Sequence, residues 1–304
     1  IGSLIDSALM VEWDEWCILD CNDNYLNDTW IQYLDDNYPR LDLVLAPHSA
    51  SGPYPASFLN LSDHEKNIAA NKLERKYRED WVKDVIRLNP RFAIPCAAEY
   101  VVVGRHWKKN EFLGLVSPTD VVRDFENSAQ VAGTNCKAIA LDCGTTLDLR
   151  SGALGGLAVR DYSLEDRMRY AESLQHISYP YEWEHSFADV DFWCLFEAAR
   201  ENLWQKQTRL NWFEDYVVGI NIFRGETFVF NFADRNVFSD DQVNQGFHID
   251  LVCVLPRQLL YRILTGKTHW NNAEGGLLID FYRQPDVYKP EAHVLLSFLQ
   301  CLLT

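Results

Sequence analysis

The sequence predicts an α+β protein of about two domains. Short apolar strands at 41–46 and 91–95 flank a long helical stretch at 62–88, which is the order of a βαβ unit. Further along the chain, two β-rich runs at 216–223 and 227–232 flank a glycine turn, a pattern typical of an antiparallel hairpin. The length of 304 residues suits two domains.

Composition and charge exclude several classes of protein. The formal net charge of −16, without a cluster of Lys or Arg, argues against a nucleic-acid partner. No apolar stretch reaches the roughly 18 residues that span a membrane. The eight cysteines form neither a CxxC motif nor the Cys-x-His pair of a Rieske centre, so we expect a cytoplasmic protein with reduced thiols. The start at Ile1 shows no signal peptide, and we expect it to be preceded by further chain.

The first predicted element is a β-hairpin with a carboxylate near its end. Apolar runs at 7–12 and 16–19 surround a tight turn, and the second run continues into Asn22 and Asp23. A carboxylate at the end of a buried strand is often a metal ligand or an acid–base group in α/β enzymes. The alternative is that Asp23 only caps a turn.

A helix is predicted at 28–36, and the strand at 41–46 then opens into a loop rich in small residues, 47–55. Ligands of α/β folds bind at the carboxyl ends of strands, so this loop is a candidate site. His48 could bind a metal or transfer protons. The alternative is a loop histidine bonded to the backbone.

The helix at 62–88 is predicted to be scaffold. Ser62 and Glu65 form a capping box, and apolar residues recur at helical spacing along it. If the strands on either side are parallel neighbours, the His48 loop and the segment 96–100 lie at one edge of the sheet, together with Asp23.

The second domain is expected to contain an antiparallel sheet and several helices. Its predicted helices are 163–177, 187–204, a short one after Pro256 and 291–303, and its predicted strands are 216–223, 227–232, 249–254 and 277–281. The polar segment at 269–274 could recognise a ligand through Trp270 and Asn271. The alternative is that Trp270 anchors this loop to the core while the Asn residues cap turns.

Several segments are similar, in order and spacing, to a known family: 6–23, 45–55, 61–66, 93–100 and 264–276. They resemble the metallo-β-lactamase superfamily, in the branch that includes CMP-N-acetylneuraminate hydroxylase and its bacterial relatives. The resemblance implies that residues 1–116 are the C-terminal half of a metallo-β-lactamase-like αββα domain. Residues 117–304 are then an α+β domain whose layout resembles sterol carrier protein 2.

The resemblance also implies a metal centre with most ligands elsewhere. The family's His-x-His-x-Asp-His motif does not occur in residues 1–304, and Cys96 and Glu99 stand where many members have a final metal-binding histidine. We therefore expect a divalent metal, iron or zinc, in a mononuclear or dinuclear site. The other ligands would lie outside this chain, in a missing N-terminal segment, or this protein has lost them. The expected partners are a small-molecule substrate and either that missing segment or further copies of the chain in a homo-oligomer.

Two functions follow as hypotheses. The first is a metal-dependent hydrolase or oxygenase acting on a small-molecule substrate, with Asp23 on the metal and His48 and Glu99 as catalytic groups. Its substrate contacts are expected at four positions: Tyr54, Tyr100, Trp270 and Asn271. The second is a catalytically inactive relative that binds a ligand or serves in assembly, which the absence of the final histidine favours.

Overall fold

The computed structural model describes residues 7–97, 99–128, 133–185, 187, 190–223, 225–239 and 248–301. The predicted α+β class is confirmed, because helices and both mixed and antiparallel sheets are present. Within these ranges, no helix is both long and apolar enough to cross a membrane.

The chain divides into two compact units that are both discontinuous in sequence. Unit 1 consists of Ile1–Ser51, Asn67–Val101 and Leu113–Arg167, and unit 2 of Gly52–Lys66, Val102–Phe112 and Met168–Thr304. The boundary predicted between residues 116 and 117 falls inside the third range of unit 1.

Unit 1 contains a five-stranded sheet in the order β1-β2-β3-β4-β5. The strands are β1 (Leu9–Trp13), β2 (Trp16–Asp20), β3 (Leu43–Pro47), β4 (Phe92–Cys96) and β5 (Lys137–Ala138). β1 and β2 form the predicted antiparallel hairpin, and β2 to β5 pair in parallel. The predicted βαβ unit is confirmed, since β3 and β4 are parallel neighbours connected through a long helix.

Unit 1 also contains helices and a small hairpin. They are α1 (Asp28–Asn37), most of α2 (Asp63–Leu88), α3 (Pro118–Asn127), β6 (Thr145–Leu147) and β7 (Leu154–Gly156), and α4 (Leu164–Ser173) begins in unit 1 and continues into unit 2. One core joins Val44 and Ala93 of the sheet to Trp81 of α2 and Phe125 of α3. The predicted capping box of α2 is confirmed, because the Glu65 carboxylate accepts from Ser62 N–H at 2.8 Å.

Unit 2 contains a second sheet in the order β10-β9-β8-β11-β12. Its strands are β8 (Val217–Ile222), β9 (Thr227–Asn231), β10 (Val237–Ser239), β11 (Leu251–Leu255) and β12 (Asp280–Arg283). The predicted hairpin is β8–β9. The expected antiparallel sheet is found in part: β9 with β10, β8 with β9 and β11 with β12 pair antiparallel, whereas β8 and β11 run parallel.

Among the described residues, four α-helices lie wholly within unit 2: α5 (Phe192–Leu210), α6 (Arg257–Leu264), α7 (Trp270–Gly275) and α8 (Pro290–Leu296). α5 begins later than the predicted helix because Asp191 caps it, accepting from Cys194 N–H at 3.1 Å. The segment expected to be a loop at 269–274 is largely the short helix α7. The strand expected from residue 277 starts only at Asp280, since Leu277 has a φ of 57°.

The two early segments of unit 2 are bonded to its last strand. Phe281 N–H donates to Ser57 O at 2.8 Å, and Leu59 N–H donates to Phe281 O at 2.7 Å. The Lys109 ammonium donates to Asp280 Oδ1 at 2.6 Å, to Leu277 O at 2.7 Å and to Ser57 Oγ at 2.9 Å. Residues 52–66 and 102–112 are therefore part of the packed unit.

Candidate functional site

The carboxyl ends of β2, β3 and β4 meet at one edge of the unit 1 sheet. In the register, Asp20 lies opposite Leu45 and Pro47 lies opposite Cys96. The chain leaves these three strand ends toward Asp23, His48 and Glu99 respectively. The prediction that these loops share one edge is therefore consistent with the observed sheet.

Asp23 lies in an exposed turn that follows β2. Asn22 adopts a φ of 54°, which Asn tolerates better than most residues, and its N–H donates to Asp20 Oδ1 at 2.9 Å. Asn24 N–H donates to Cys21 O at 3.0 Å and closes the turn. The position is open to solvent, so both readings of Asp23, metal ligand and turn residue, stay predictions.

His48 lies in the interior, with 1% of its surface exposed. Nδ1 lies 3.0 Å from Cys96 O and Nε2 lies 3.1 Å from Val116 O. Burial lowers the pKa of His48, although both backbone contacts oppose the shift. A neutral imidazole carries one N–H and donates to one of these carbonyls at a time. The geometry matches the alternative of a histidine bonded to backbone, which connects the end of β3 to the end of β4.

Glu99 and Tyr100 follow β4 at the same edge. Burial of its carboxyl group raises the pKa of Glu99, and the Arg167 guanidinium partly offsets this shift. In turn, burial lowers the pKa of Arg167, with the Glu99 charge opposing it. Glu99 is thus a carboxyl group whose charged form depends on a nearby cation, which suits an acid–base group or a salt-bridge partner.

The sequence interpretation missed Asp84, which belongs to α2. Burial, followed by the charge of Asp80, raises the pKa of Asp84 to about 6. A small cavity next to it is bounded by the end of β3 and the segment after β2, and its lining residues are Tyr25, Leu26, Ala46, Pro47, Tyr77, Asp80, Trp81 and Asp84. The sequence contained one sign that Asp84 is half-buried, because it immediately precedes Val85 of the apolar stripe of α2. From the sequence, α2 was interpreted only as scaffold.

Replacing Asp84 by Asn is expected to stabilise the protein at neutral pH. The folded-state pKa is raised above the unfolded value of about 3.9, so ionisation costs stability as the pH rises from about 4 to about 6. The full shift corresponds to about 3 kcal/mol, and solvent screening of this half-buried group reduces it to about 1 kcal/mol.

Thermal unfolding at pH 4 and at pH 7.5 tests this expectation. Asp84→Asn should raise the melting temperature at pH 7.5 and leave it nearly unchanged at pH 4. Asp35→Asn, an exposed change on α1, is the control and should have no effect at either pH. A loss of stability at pH 7.5 would show that the Asp84 carboxylate has a stabilising partner.

The residues expected to contact substrate from the second half of the sequence lie in unit 2, as does Tyr54. The Tyr54 ring packs edge-on against Phe58, with centroids 5.0 Å apart, and Arg283 lies 5.4 Å from its centre. Its hydroxyl donates to Asp286 Oδ2 at 3.4 Å. Tyr54 is half-buried in an aromatic cluster and has a structural contact on each side.

Trp270 is buried, with 1% exposed, as the anchoring alternative expects. Its indole Nε1–H donates to Glu274 Oε2 at 2.7 Å, and Glu274 Oε1 lies 2.6 Å from His293 Nδ1. Asn271 is half-buried, and its backbone N–H donates to His269 Nδ1 at 3.2 Å. Sequence analysis did not single out His293, because it lies in an apolar helix about twenty residues beyond α7.

Several buried polar atoms of unit 2 lack hydrogen-bond partners among the described residues, and two of them are His293 Nε2 and Tyr216 Oη. The His293 ring lies 5.8 Å from the ring of Phe281, which pairs with Cys253 across β12 and β11. Burial raises the pKa of Tyr216 to about 12, and the Arg283 guanidinium opposes the shift. Tyr216 and Phe281 belong to the same hydrophobic core of unit 2.

Within the described ranges, no group of three or more His, Cys, Asp or Glu is placed to hold a metal ion. Comparison with protein-family models, with curated proteins and with solved structures found no match to this chain.

Proposed function

We propose that the protein is a metal-dependent hydrolase or oxygenase of the metallo-β-lactamase fold that acts on a small molecule. In this proposal unit 1 contains the C-terminal half of the αββα domain, and unit 2 corresponds to the sterol-carrier-like part. The hairpin β1–β2 followed by a parallel βαβ unit supports the fold. The observation that carries the function is the shared edge where β2, β3 and β4 end, with Asp84 of raised pKa beside it.

Each group at this edge has a proposed role. Asp23 binds the metal, which is iron or zinc, because an exposed carboxylate is a suitable oxygen ligand. One carboxylate does not hold such an ion, so the remaining ligands come from outside the described residues. A bound metal of this kind lowers the pKa of water or activates oxygen. Glu99 and Asp84 transfer protons, since both have raised pKa values.

His48 has a different role from the catalytic one expected from the sequence. Both of its ring nitrogens lie at hydrogen-bond distance from backbone carbonyls. In the proposal, His48 positions the loops that carry the reacting groups, and Tyr100 contacts the substrate at the unit 1 edge. The contacts expected from the sequence at Tyr54, Trp270 and Asn271 are left out of the proposal, because these residues pack and bond within unit 2.

The metal proposal predicts stoichiometric iron or zinc in the longest natural product of the gene. Plasma mass spectrometry of the purified protein measures it, and Asp23→Ala should lose most of the metal while its circular dichroism stays unchanged. Asp35→Ala, also exposed in unit 1, is the matched control and should keep the metal. Metal retained by Asp23→Ala would remove Asp23 from the ligand set.

The second candidate function is metal-free ligand binding or assembly. Two observations favour it: the only histidine at the unit 1 edge within the described residues is bonded to backbone, and His293 Nε2 and Tyr216 Oη remain available in unit 2. The same measurement separates the two functions. Wild-type protein that is folded but contains no metal would support ligand binding and contradict the metalloenzyme.

A further inference from the structure

Arg200 is a buried guanidinium with an incomplete set of hydrogen bonds. Only 1% of the residue is exposed, and its charged group lies 5.3 Å from the ring centre of Trp204 and 4.9 Å from that of Phe230. Nη2 donates to Asn231 O at 3.2 Å and to Asp234 O at 2.5 Å. The described part of unit 2 offers no acceptor to Nε or Nη1. The guanidinium is therefore bonded through Nη2, whereas Nε and Nη1 have no acceptor among the described residues.

The carboxylates nearest to Arg200 are engaged with other groups. The Asp234 carboxylate accepts from the backbone N–H and the side-chain amide of Asn236, and the Glu201 carboxylate pairs with Arg235 at 2.7 Å. Burial lowers the pKa of Arg200 to about 10, so the group is still charged at neutral pH. The charges of Asp234 and Glu201 partly offset this shift, but Nε and Nη1 still lack acceptors. Unsatisfied donors on a buried charged group are unfavourable, so a negatively charged acceptor beside them would stabilise the fold.

Gln207 supplies a second unpaired atom on the same face of α5. It lies seven residues beyond Arg200, which is two helical turns, and is fully buried. Its amide Nε2 donates to Phe232 O, whereas Oε1 has no donor among the residues that the structure describes. Arg200 and Gln207 thus both contact the carbonyls that follow β9, and each keeps a polar atom unpaired.

We propose that Arg200 and Gln207 form a buried site for a small monovalent anion, either a halide or the carboxylate of a small organic acid. The anion accepts hydrogen bonds from the Arg200 nitrogens that lack acceptors, Nε and Nη1, and places a negative charge in contact with them. Gln207 Oε1 accepts from a water or a ligand hydroxyl beside the anion. The aromatic neighbours Trp204 and Phe230 favour a small ion of low charge, because each added charge increases the cost of removing water. This site is independent of the function proposed for unit 1.

Thermal unfolding of the whole chain at constant ionic strength tests the site. Sodium gluconate, whose anion is much larger than the other three, is the reference salt and is replaced stepwise by sodium chloride, sodium formate or sodium glycolate. We expect chloride or a small carboxylate to raise the melting temperature by about 3–6 °C, because a ligand that binds only the folded state stabilises it. A larger effect of chloride indicates a halide site, and a larger effect of formate or glycolate indicates a carboxylate site.

Variants assign the effect to Arg200. Arg200→Gln should abolish the dependence on the anion, whereas Arg209→Gln, an exposed change on the same helix, should keep it. Equal melting temperatures of the wild type in all four salts would overturn the proposal, as would an unchanged anion response in Arg200→Gln. If that variant does not fold, broadening of the chloride-35 resonance by the wild type decides, and the proposal fails if neither bromide nor formate nor glycolate reverses it.

Discussion

Glu274→Leu is expected to lower the free energy of unfolding of unit 2 by about 3–4 kcal/mol. The carboxylate accepts from Trp270 Nε1 at 2.7 Å and from His293 Nδ1 at 2.6 Å, and its side chain is only 15% exposed. Leucine preserves most of the volume but leaves two buried donors without an acceptor, and each orphaned group costs about 1–3 kcal/mol. Urea unfolding followed by tryptophan fluorescence measures the loss.

Glu274→Gln is the comparison variant, and it should lower the free energy of unfolding much less than Glu274→Leu. The amide oxygen can accept from Trp270, and the amide nitrogen can donate to His293 Nδ1 when that ring nitrogen carries no hydrogen. Glu291→Leu, at the exposed start of α8, is the control and should change stability by no more than about 0.5 kcal/mol. Equal losses for the Leu and Gln variants would contradict the hydrogen-bond account.

His48→Leu is expected to cost about 2–3 kcal/mol in unit 1, because the carbonyls of Cys96 and Val116 then lose their buried donor. Burial lowers the pKa of His48, so the unfolded chain binds a proton more readily than the folded one below about pH 6.5. The stability contributed by His48 is therefore complete at pH 7.5 and decreases as the pH falls. The difference between the variant and the wild type should be smaller at pH 5.

Denaturant unfolding at both pH values checks this result, with the exposed His64→Leu as control. A catalytic His48 without a structural role gives the opposite pattern: lost activity with unchanged stability. A loss of stability that is larger at pH 5 than at pH 7.5 would mean that His48 is protonated in the folded protein.

The sequence predicted those elements that local patterns determine. The β1–β2 hairpin, the βαβ unit around α2 and the β8–β9 hairpin depend on alternation, helical spacing and turn residues that lie close together in the chain. The parallel pairing of β8 with β11 was missed, because it joins strands separated by about thirty residues and no local pattern specifies it.

The candidate site was predicted only in part for the same reason. The chain order of strands and loops was enough to predict that Asp23, His48 and Glu99 follow strand ends at one edge of the unit 1 sheet. It did not predict that the His48 ring would meet two backbone carbonyls, or that burial would raise the pKa of Asp84. Likewise, the contact between Glu274 and His293 depends on how α7 and α8 pack, which the spacing of the two residues does not reveal.

The interleaved order of the two units limits how this protein can be dissected. A fragment beginning at residue 117 would contain Asp280 without its ion-pair partner Lys109. It would also contain Phe281 without its backbone hydrogen bonds with Ser57 and Leu59. Truncation there would also separate β1 to β4 from residues 117–167, which belong to the same unit. Neither unit can be expressed as one uninterrupted fragment, so deletion mapping would confuse misfolding with loss of function, and point substitutions in the intact chain are the appropriate tool.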